Sequence, residues 1–167
     1  IAIAGNIIDL GPRDSITRLD IQRCIDVAMD APLAPGALER LRLQIADAGS
    51  ILFLGDNAGE IVFDRLLLEA LDCEKITYVV RGAPAINDAT LEDAASVGLT
   101  DIVAVIDNGS DAPGTILKDC SPSFRALYDS ADLVLAKGQG NYETLCMEAR
   151  TITFLLQAKC AMVAEHL

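Results

Sequence analysis

The sequence predicts an α/β chain: a three-layer α/β/α, Rossmann-like fold with a mainly parallel sheet and N-terminal helices ahead of it. Three observations carry that prediction. From Ser50 onward, short apolar runs alternate with stretches of helical spacing, the order that builds parallel sheets. The runs are almost purely Ile, Leu, Val and Ala, as in strands covered on both faces. Gly, Asn, Asp and Pro punctuate the gaps between them.

The elements follow in chain order. Ile1 to Leu10 is apolar apart from Asn6 and Asp9, too apolar to face solvent, and Gly11-Pro12 ends it. Ser15 to Met29 has Ile21, Cys24, Ile25 and Ala28 at helical spacing. Pro32 to Gly36 is a loop. Ala37 to Ala48 is a second helix with Leu38, Leu41 and Ile45 on one face, and Gly49 reads as its cap. Ile51–Gly55 is the first strand, followed by a helix over Glu60–Leu71. Ile76–Val80 is the second strand, with a helix from about Ala89 to Ser96. Ile102–Ile106 is the third strand. Pro122 to Ser130 is a helix with Ser121 at its N-cap and Pro122 at the first helical position. Leu133–Ala136 is the fourth strand, Tyr142 to Ala149 a helix, and Ile152–Leu156 the fifth strand. The expected organisation is a single α/β domain over 1–167, with a helical part over 1–49 and a Rossmann-like core over 50–167.

Composition narrows the function. The chain of 167 residues is long enough for a sizeable core, and 51% of its residues are hydrophobic. A net charge of -12 argues against a nucleic-acid surface and against anionic membranes, both of which call for Lys and Arg. It leaves room for a phosphorylated substrate, since a bound divalent metal supplies local positive charge. Five cysteines without a C-x-x-C pair read as reduced thiols, so a cytoplasmic location is expected. No apolar run reaches the roughly 18 residues of a membrane-spanning helix, and no signal peptide is visible. The chain opens at Ile1 inside an apolar run, which reads as a fragment that starts within an element.

The strand ends carry the chemistry. The first strand ends in Asp56-Asn57, the second in Arg81-Gly82 with Asn87-Asp88 beyond it. The third ends in Asp107-Asn108-Gly109-Ser110 and the fourth in Lys137-Gly138-Gln139-Gly140-Asn141. A parallel sheet puts all of these on one edge, where open α/β folds bind ligands. Carboxylates beside an amide suit a hard, oxygen-ligated cation. An Arg and a Lys on the same edge suit a phosphate or carboxylate. Each residue also has a plainer reading. Asp56, Asn57 or Asp88 could cap the following helix, and Glu60 could only complement a helix dipole. Arg81 and Lys137 could be solvated strand-end charges, and Asp107-Asn108-Gly109 could be only a turn. One shared site explains all four strand ends at once. The single histidine, His166, stands beside the C-terminus, which removes Ser-His-Asp and Cys-His nucleophiles.

At these residues the sequence resembles the metal-dependent damage-control phosphatases once called domain of unknown function 89, of the microbial type. The matching motifs are Gly55-Asp56-Asn57-Ala58-Gly59-Glu60, Arg81 through Thr90, Asp107-Asn108-Gly109-Ser110, and Lys137 through Glu143, with Gly5-Asn6-Ile7-Ile8-Asp9 ahead of them. The resemblance implies a Rossmann-like α/β/α fold and hydrolysis of small phosphate monoesters, such as sugar phosphates or damaged phosphometabolites. It implies a divalent metal, Mg2+, Mn2+, Co2+ or Ni2+, held by Asp56, Asn57 and Asp88, which are also the expected catalytic residues. By the same match Lys137 binds the phosphate, Arg81, Asn87 and Ser110 line the pocket, and Asn6 faces it; Glu60 supports the ligands from the helix. Family members of this type carry further N-terminal helices, so an associated N-terminal piece is an expected partner. The attacking group is left open between a metal-activated water and the Asp56 carboxylate.

Two other classes remain in view. A nucleotide- or S-adenosylmethionine-dependent Rossmann enzyme would need a better glycine loop than Gly55-x-x-x-Gly59, and an acid where Arg81 stands. A non-catalytic metabolite-binding module would bind sugar phosphates without turnover.

Overall fold

The computed structural model describes residues 18–157. Helices α1 (Arg18–Asp30) and α2 (Ala37–Asp47) precede β1 (Ile51–Leu54). Then come α3 (Ile61–Leu68), β2 (Ile76–Val80), α4 (Leu91–Ser96) and β3 (Ala104–Asp107). The described chain continues through α5 (Pro122–Ser130), β4 (Leu133–Lys137), α6 (Gly138–Leu145) and β5 (Ile152–Leu155). The sheet order is β3-β2-β1-β4-β5 and every pairing is parallel, so the expected α/β/α, Rossmann-like class holds. Among the described residues no helix is long and apolar enough to cross a membrane.

Strand alternation sends successive side chains to opposite faces. Ile51, Phe53, Tyr78, Val80, Leu133 and Leu135 face one way and pack on Ile61 and Leu68 of α3, Ala94 of α4, and Leu41 and Ile45 of α2. Leu52, Leu54, Val79, Val134 and Ala136 face the other way, onto Phe124 and Tyr128 of α5 and Leu145 of α6. That double cover is why the strand sequences are apolar throughout. Ser121 caps α5 as expected, its hydroxyl accepting from the Phe124 N–H.

Several element ends differ from the sequence reading by a residue or more, and the following have a visible cause. β3 begins at Ala104 because a 3-10 turn over Leu99–Asp101 draws Ile102 and Val103 into its own hydrogen bonds to Leu99. α3 stops at Leu68 because Ala70 and Leu71 bond three residues back, tightening the end. Gly49 is not a left-handed cap; Ala48 is the capping residue, in extended conformation, and the Gly49 N–H is held by Asp132. The largest shift is α6, expected from Tyr142 and found from Gly138. Its two glycines read as loop residues. Gly138 is instead the first helical residue, with φ +78, and the missing side chain admits the Asp56 carboxylate. Among the described cysteines Cys73, Cys120 and Cys146 are free thiols.

Candidate active site

The order β2-β1-β4 puts the carboxyl ends of the two central strands side by side, with Leu54 opposite Ala136. This is the point of the sheet where chain direction switches and ligands bind. Just beyond it two loops pair. The Ala58 N–H donates to the Asn87 carbonyl and the Ala89 N–H to the Asp56 carbonyl, each at 2.8 Å, which makes an antiparallel bridge between Asn57 and Asp88. Backbone pairing, not side-chain chemistry, therefore brings Asp56, Asn57 and Asp88 together.

The capping readings fall away. α3 starts at Ile61, flanked by Glu60 in helical conformation and with no side-chain cap. α4 is capped by Thr90 in a reciprocal box with Asp93, not by Asp88. Arg81 and Lys137 are not solvated: they are 1% and 0% exposed.

Each charged residue has a defined partner. The Arg81 Nε donates to Asp88 Oδ2 at 2.6 Å, and its two terminal nitrogens reach Thr115 Oγ1 at 3.3 Å and Asn141 Oδ1 at 3.2 Å. Asp88 Oδ2 also accepts from the Gly114 N–H. Lys137 Nζ donates to Glu60 Oε2 at 3.2 Å and Asp64 Oδ1 at 2.8 Å. Glu60 Oε1 accepts from Asn57 Nδ2 at 2.9 Å, which fixes the amide and turns its carbonyl oxygen away from Glu60. Asn141 ties the layers together, donating to the carbonyls of Gly55 and Lys137.

The electrostatics are unbalanced. Among the described residues, Asp56, Glu60, Asp64 and Asp88 are buried against only Arg81 and Lys137, so buried carboxyl groups outnumber buried cations by two. Burial, reinforced by the charges of Glu60 and Asp88, pushes the Asp56 carboxyl up to about 7. Burial also raises Glu60, against the pull of Lys137. For Lys137, burial alone would favour the neutral amine, but Asp64 and Glu60 outweigh it and hold the ammonium above its usual range. Among the described residues no three Asp, Glu, His or Cys side chains converge on one point. A cation here would take the Asp56 and Asp88 carboxylates and the Asn57 carbonyl oxygen, all hard oxygen donors. A divalent ion would bring positive charge to this excess of carboxyl groups, and the oxygen donors are of the kind it takes.

The remaining expected residues are more dispersed. Asn87 is exposed beside the Asn57–Asp88 bridge, and it lines a cleft of about 700 Å3 together with Asn57, Glu60 and Asp88. Ser110 is buried on the β3 side, its Oγ accepting from the Ala112 N–H. Asp107 does form the turn, its carboxylate accepting from the Gly109 N–H. Asn6 lies outside the described residues. Sequence reasoning missed Asp64, Tyr78 and Thr115, and it placed Asn141 at the fourth strand end without giving it a role. Asp64 left a signal: with Ile61 and Leu68 it shares the buried face of α3, a carboxylate where the pattern calls for an apolar residue. The Tyr78 hydroxyl donates to its second oxygen at 2.7 Å.

Comparison with known proteins points the same way. A family model described as a damage-control phosphatase ARMT1-like domain matches residues 1–167. The uncharacterized protein MJ0202 of Methanocaldococcus jannaschii is 41% identical over 173 residues, covering 99% of this chain and 56% of its own. A damage-control phosphatase of Archaeoglobus fulgidus is 42% identical over 130 residues, 75% of this chain and 45% of that one. The damage-control phosphatase PH1575 of Pyrococcus horikoshii is 35% identical over 171 residues, 100% of this chain and 59% of its own. Its crystal structure, described as a DUF89 family protein, superposes with a TM-score of 0.86. The chain thus spans between 45% and 59% of the length of these curated relatives.

Proposed function

The chain belongs to the damage-control phosphatase ARMT1-like family, and from that premise we propose that it carries the catalytic centre of a divalent-metal-dependent hydrolase of small phosphate monoesters. The observation that supports this most is the excess of buried carboxyl groups around Asp56, Asn57 and Asp88, which a divalent ion offsets. Such an ion, Mg2+, Mn2+, Co2+ or Ni2+, supplies Lewis-acid charge to a phosphoryl oxygen when bound. The chain does the rest. Glu60 holds the Asn57 amide through its Nδ2, so the amide's carbonyl oxygen would be available as a ligand. Arg81 and the Gly114 N–H share one oxygen of Asp88, orienting the carboxylate from behind. Lys137 donates to Glu60 and Asp64 and, fully buried behind them, adds its positive charge to the site from within. The first-turn N–H groups of α6, which begins directly after Lys137, add partial positive charge.

A nucleotide-binding reading is less well supported. The Arg81 side chain at the end of β2 is committed to Asp88, Thr115 and Asn141, where a ribose-binding acid would be needed. The test is phosphate release from sugar phosphates by the full-length protein with each metal in turn. Activity that disappears in Asp56→Ala is the expected result. Equal activity in Asp56→Ala would overturn the site, and sugar-phosphate binding without turnover in any metal would favour a metabolite-binding module.

A further inference from the structure

We propose that the cleft beside Asn57 and Asp88 receives the leaving-group half of the ester, that Ile86 is the residue that grips it, and that this leaving group is uncharged. The inference rests on the phosphatase reading and concerns what that site selects.

Ile86 is the only residue other than glycine with positive φ among the described residues, at +54. A β-branched side chain is poorly suited to that conformation, because Cβ crowds the following carbonyl. The side chain is also 89% exposed, so it gains almost nothing by burial. Folding therefore disfavours isoleucine here on both counts. Its position is not incidental. The turn Ala85–Asp88, closed by the Asp88 N–H to the Ala85 carbonyl at 2.9 Å, presents Asn87 and Asp88 to the β1 loop. Strained residues that persist in such turns mark functional contacts.

The cleft has the size and composition for a small molecule. Its volume of about 700 Å3 is in the range of metabolite sites. Pro84, Ile86, Val62 and Phe63 form an apolar wall that continues to Asn57 and Asp88. Among the described residues, no Lys, Arg or His lines it. The outer charges are Glu92, exposed, and Asp93, engaged with Thr90. Arg81 and Lys137 are buried behind carboxylates and do not line the cleft. A carboxylate or second phosphate on the leaving group would meet Glu92 with no Lys or Arg among the described lining residues to offset it, whereas a hydroxylated or apolar group meets no such penalty.

The experiment compares the full-length protein on two esters of one skeleton, glucose 6-phosphate and 6-phosphogluconate, with Mg2+ or Mn2+ present. The expected result is kcat/KM at least about tenfold higher for the neutral sugar phosphate. Ile86→Asn, which tolerates positive φ, is expected to raise KM about tenfold with kcat and melting temperature held. Glu92→Lys is expected to narrow the preference by raising kcat/KM for 6-phosphogluconate. Equal kcat/KM for the two esters in the wild type would overturn the inference while leaving the phosphatase reading intact. So would an Ile86→Asn protein that melts lower with KM unchanged, since that marks a packing role. Hydrolysis of neither ester, nor of any other monoester in any metal, would overturn the phosphatase reading and this inference with it.

Discussion

Replacing Gly138 by alanine tests the site through one methyl group. A Cβ built on Gly138 falls well inside contact distance of both the Asp56 Oδ2 and its carboxyl carbon, and the backbone there has φ +78. The left-handed conformation costs about 1–2 kcal/mol for alanine. Loss of glycine's unfolded-state freedom returns about 0.4–1 kcal/mol. Net destabilisation from the backbone is therefore about 1 kcal/mol, a few degrees of melting temperature for a domain of this size. The functional cost is larger, because Asp56 is 6% exposed and walled in, so its carboxylate has to leave its position altogether. On the proposed reading, in which Asp56 holds the ion, displacing it should cost at least as much as losing an outer-shell partner, about 10–100-fold in metal affinity. Gly140→Ala is the control two residues along. Its Cβ would stand 3.5 Å from the Gly114 Cα, an ordinary contact, and alanine inside a helix is favoured by about 0.5–1 kcal/mol. Calorimetric titration of the full-length protein with Mn2+, alongside phosphate release, reads both variants. Wild-type metal affinity in Gly138→Ala, or equal loss in Gly140→Ala, would refute the placement of Asp56.

Three further outcomes follow from the same network. Lys137→Met strands Glu60 and Asp64 without a cation; it should cost about 3–5 kcal/mol in denaturant melts, and adding Asp64→Asn should recover part of that, whereas strictly additive losses would mean the pair is not coupled. Arg81→Lys keeps the charge but cannot reach Asp88, Thr115 and Asn141 together, so metal affinity should fall about tenfold or more, and an unchanged titration would refute the orienting role. The Asp56 carboxyl, raised to about 7, is bound to its proton more tightly in the folded chain than in the unfolded one. Stability is then fully present below the ordinary value of 3.8 and is lost as pH rises through about 7. Melting temperatures of the metal-free protein should fall across that window, Asp56→Asn should flatten the profile, and Mg2+ should restore more stability at about pH 8 than at about pH 5. A flat metal-free profile in the wild type would refute the argument.

Much of this was legible in the sequence because local pattern and tertiary environment agree. β2 was read to the residue, and α5 too, since Ser121-Pro122 is both a cap and a first-turn signal. Strand ends in a parallel sheet put Asp56 and Asn57 on the same edge as Arg81 and Lys137, whereas Asp88 comes to them through the backbone bridge beyond β2. What escaped depends on partners distant in the chain. Gly138 and Gly140 look alike in sequence, yet one makes room for Asp56 and the other approaches Gly114. Tyr78 reads as one more strand hydrophobe, but its ring stacks on Phe53 while its hydroxyl serves Asp64. Asn141, placed by sequence at the fourth strand end without a role of its own, is fully buried and joins Arg81, Thr115 and two backbone carbonyls.

The partners of the two buried cations bear on how a phosphate would be held. An arginine that clamps a phosphate presents its fork to the ligand. Here the Arg81 fork is turned inward, toward Asp88, Thr115 and Asn141, and Lys137 is shared between two carboxylates. Neither cation is placed to capture an anion by charge alone, and the surrounding carboxyl groups repel one. On the proposed reading, anion binding at this edge therefore depends on a bound divalent ion. In its absence inorganic phosphate should bind at least about a hundredfold more weakly, the loss expected when a site's main counter-charge is removed. Phosphate titrations with and without Mn2+ measure this directly. Equal affinity in the two would mean that Arg81 or Lys137 swings free of its carboxylate to meet the ligand, and the inward network described for the resting site would then be only one of two states.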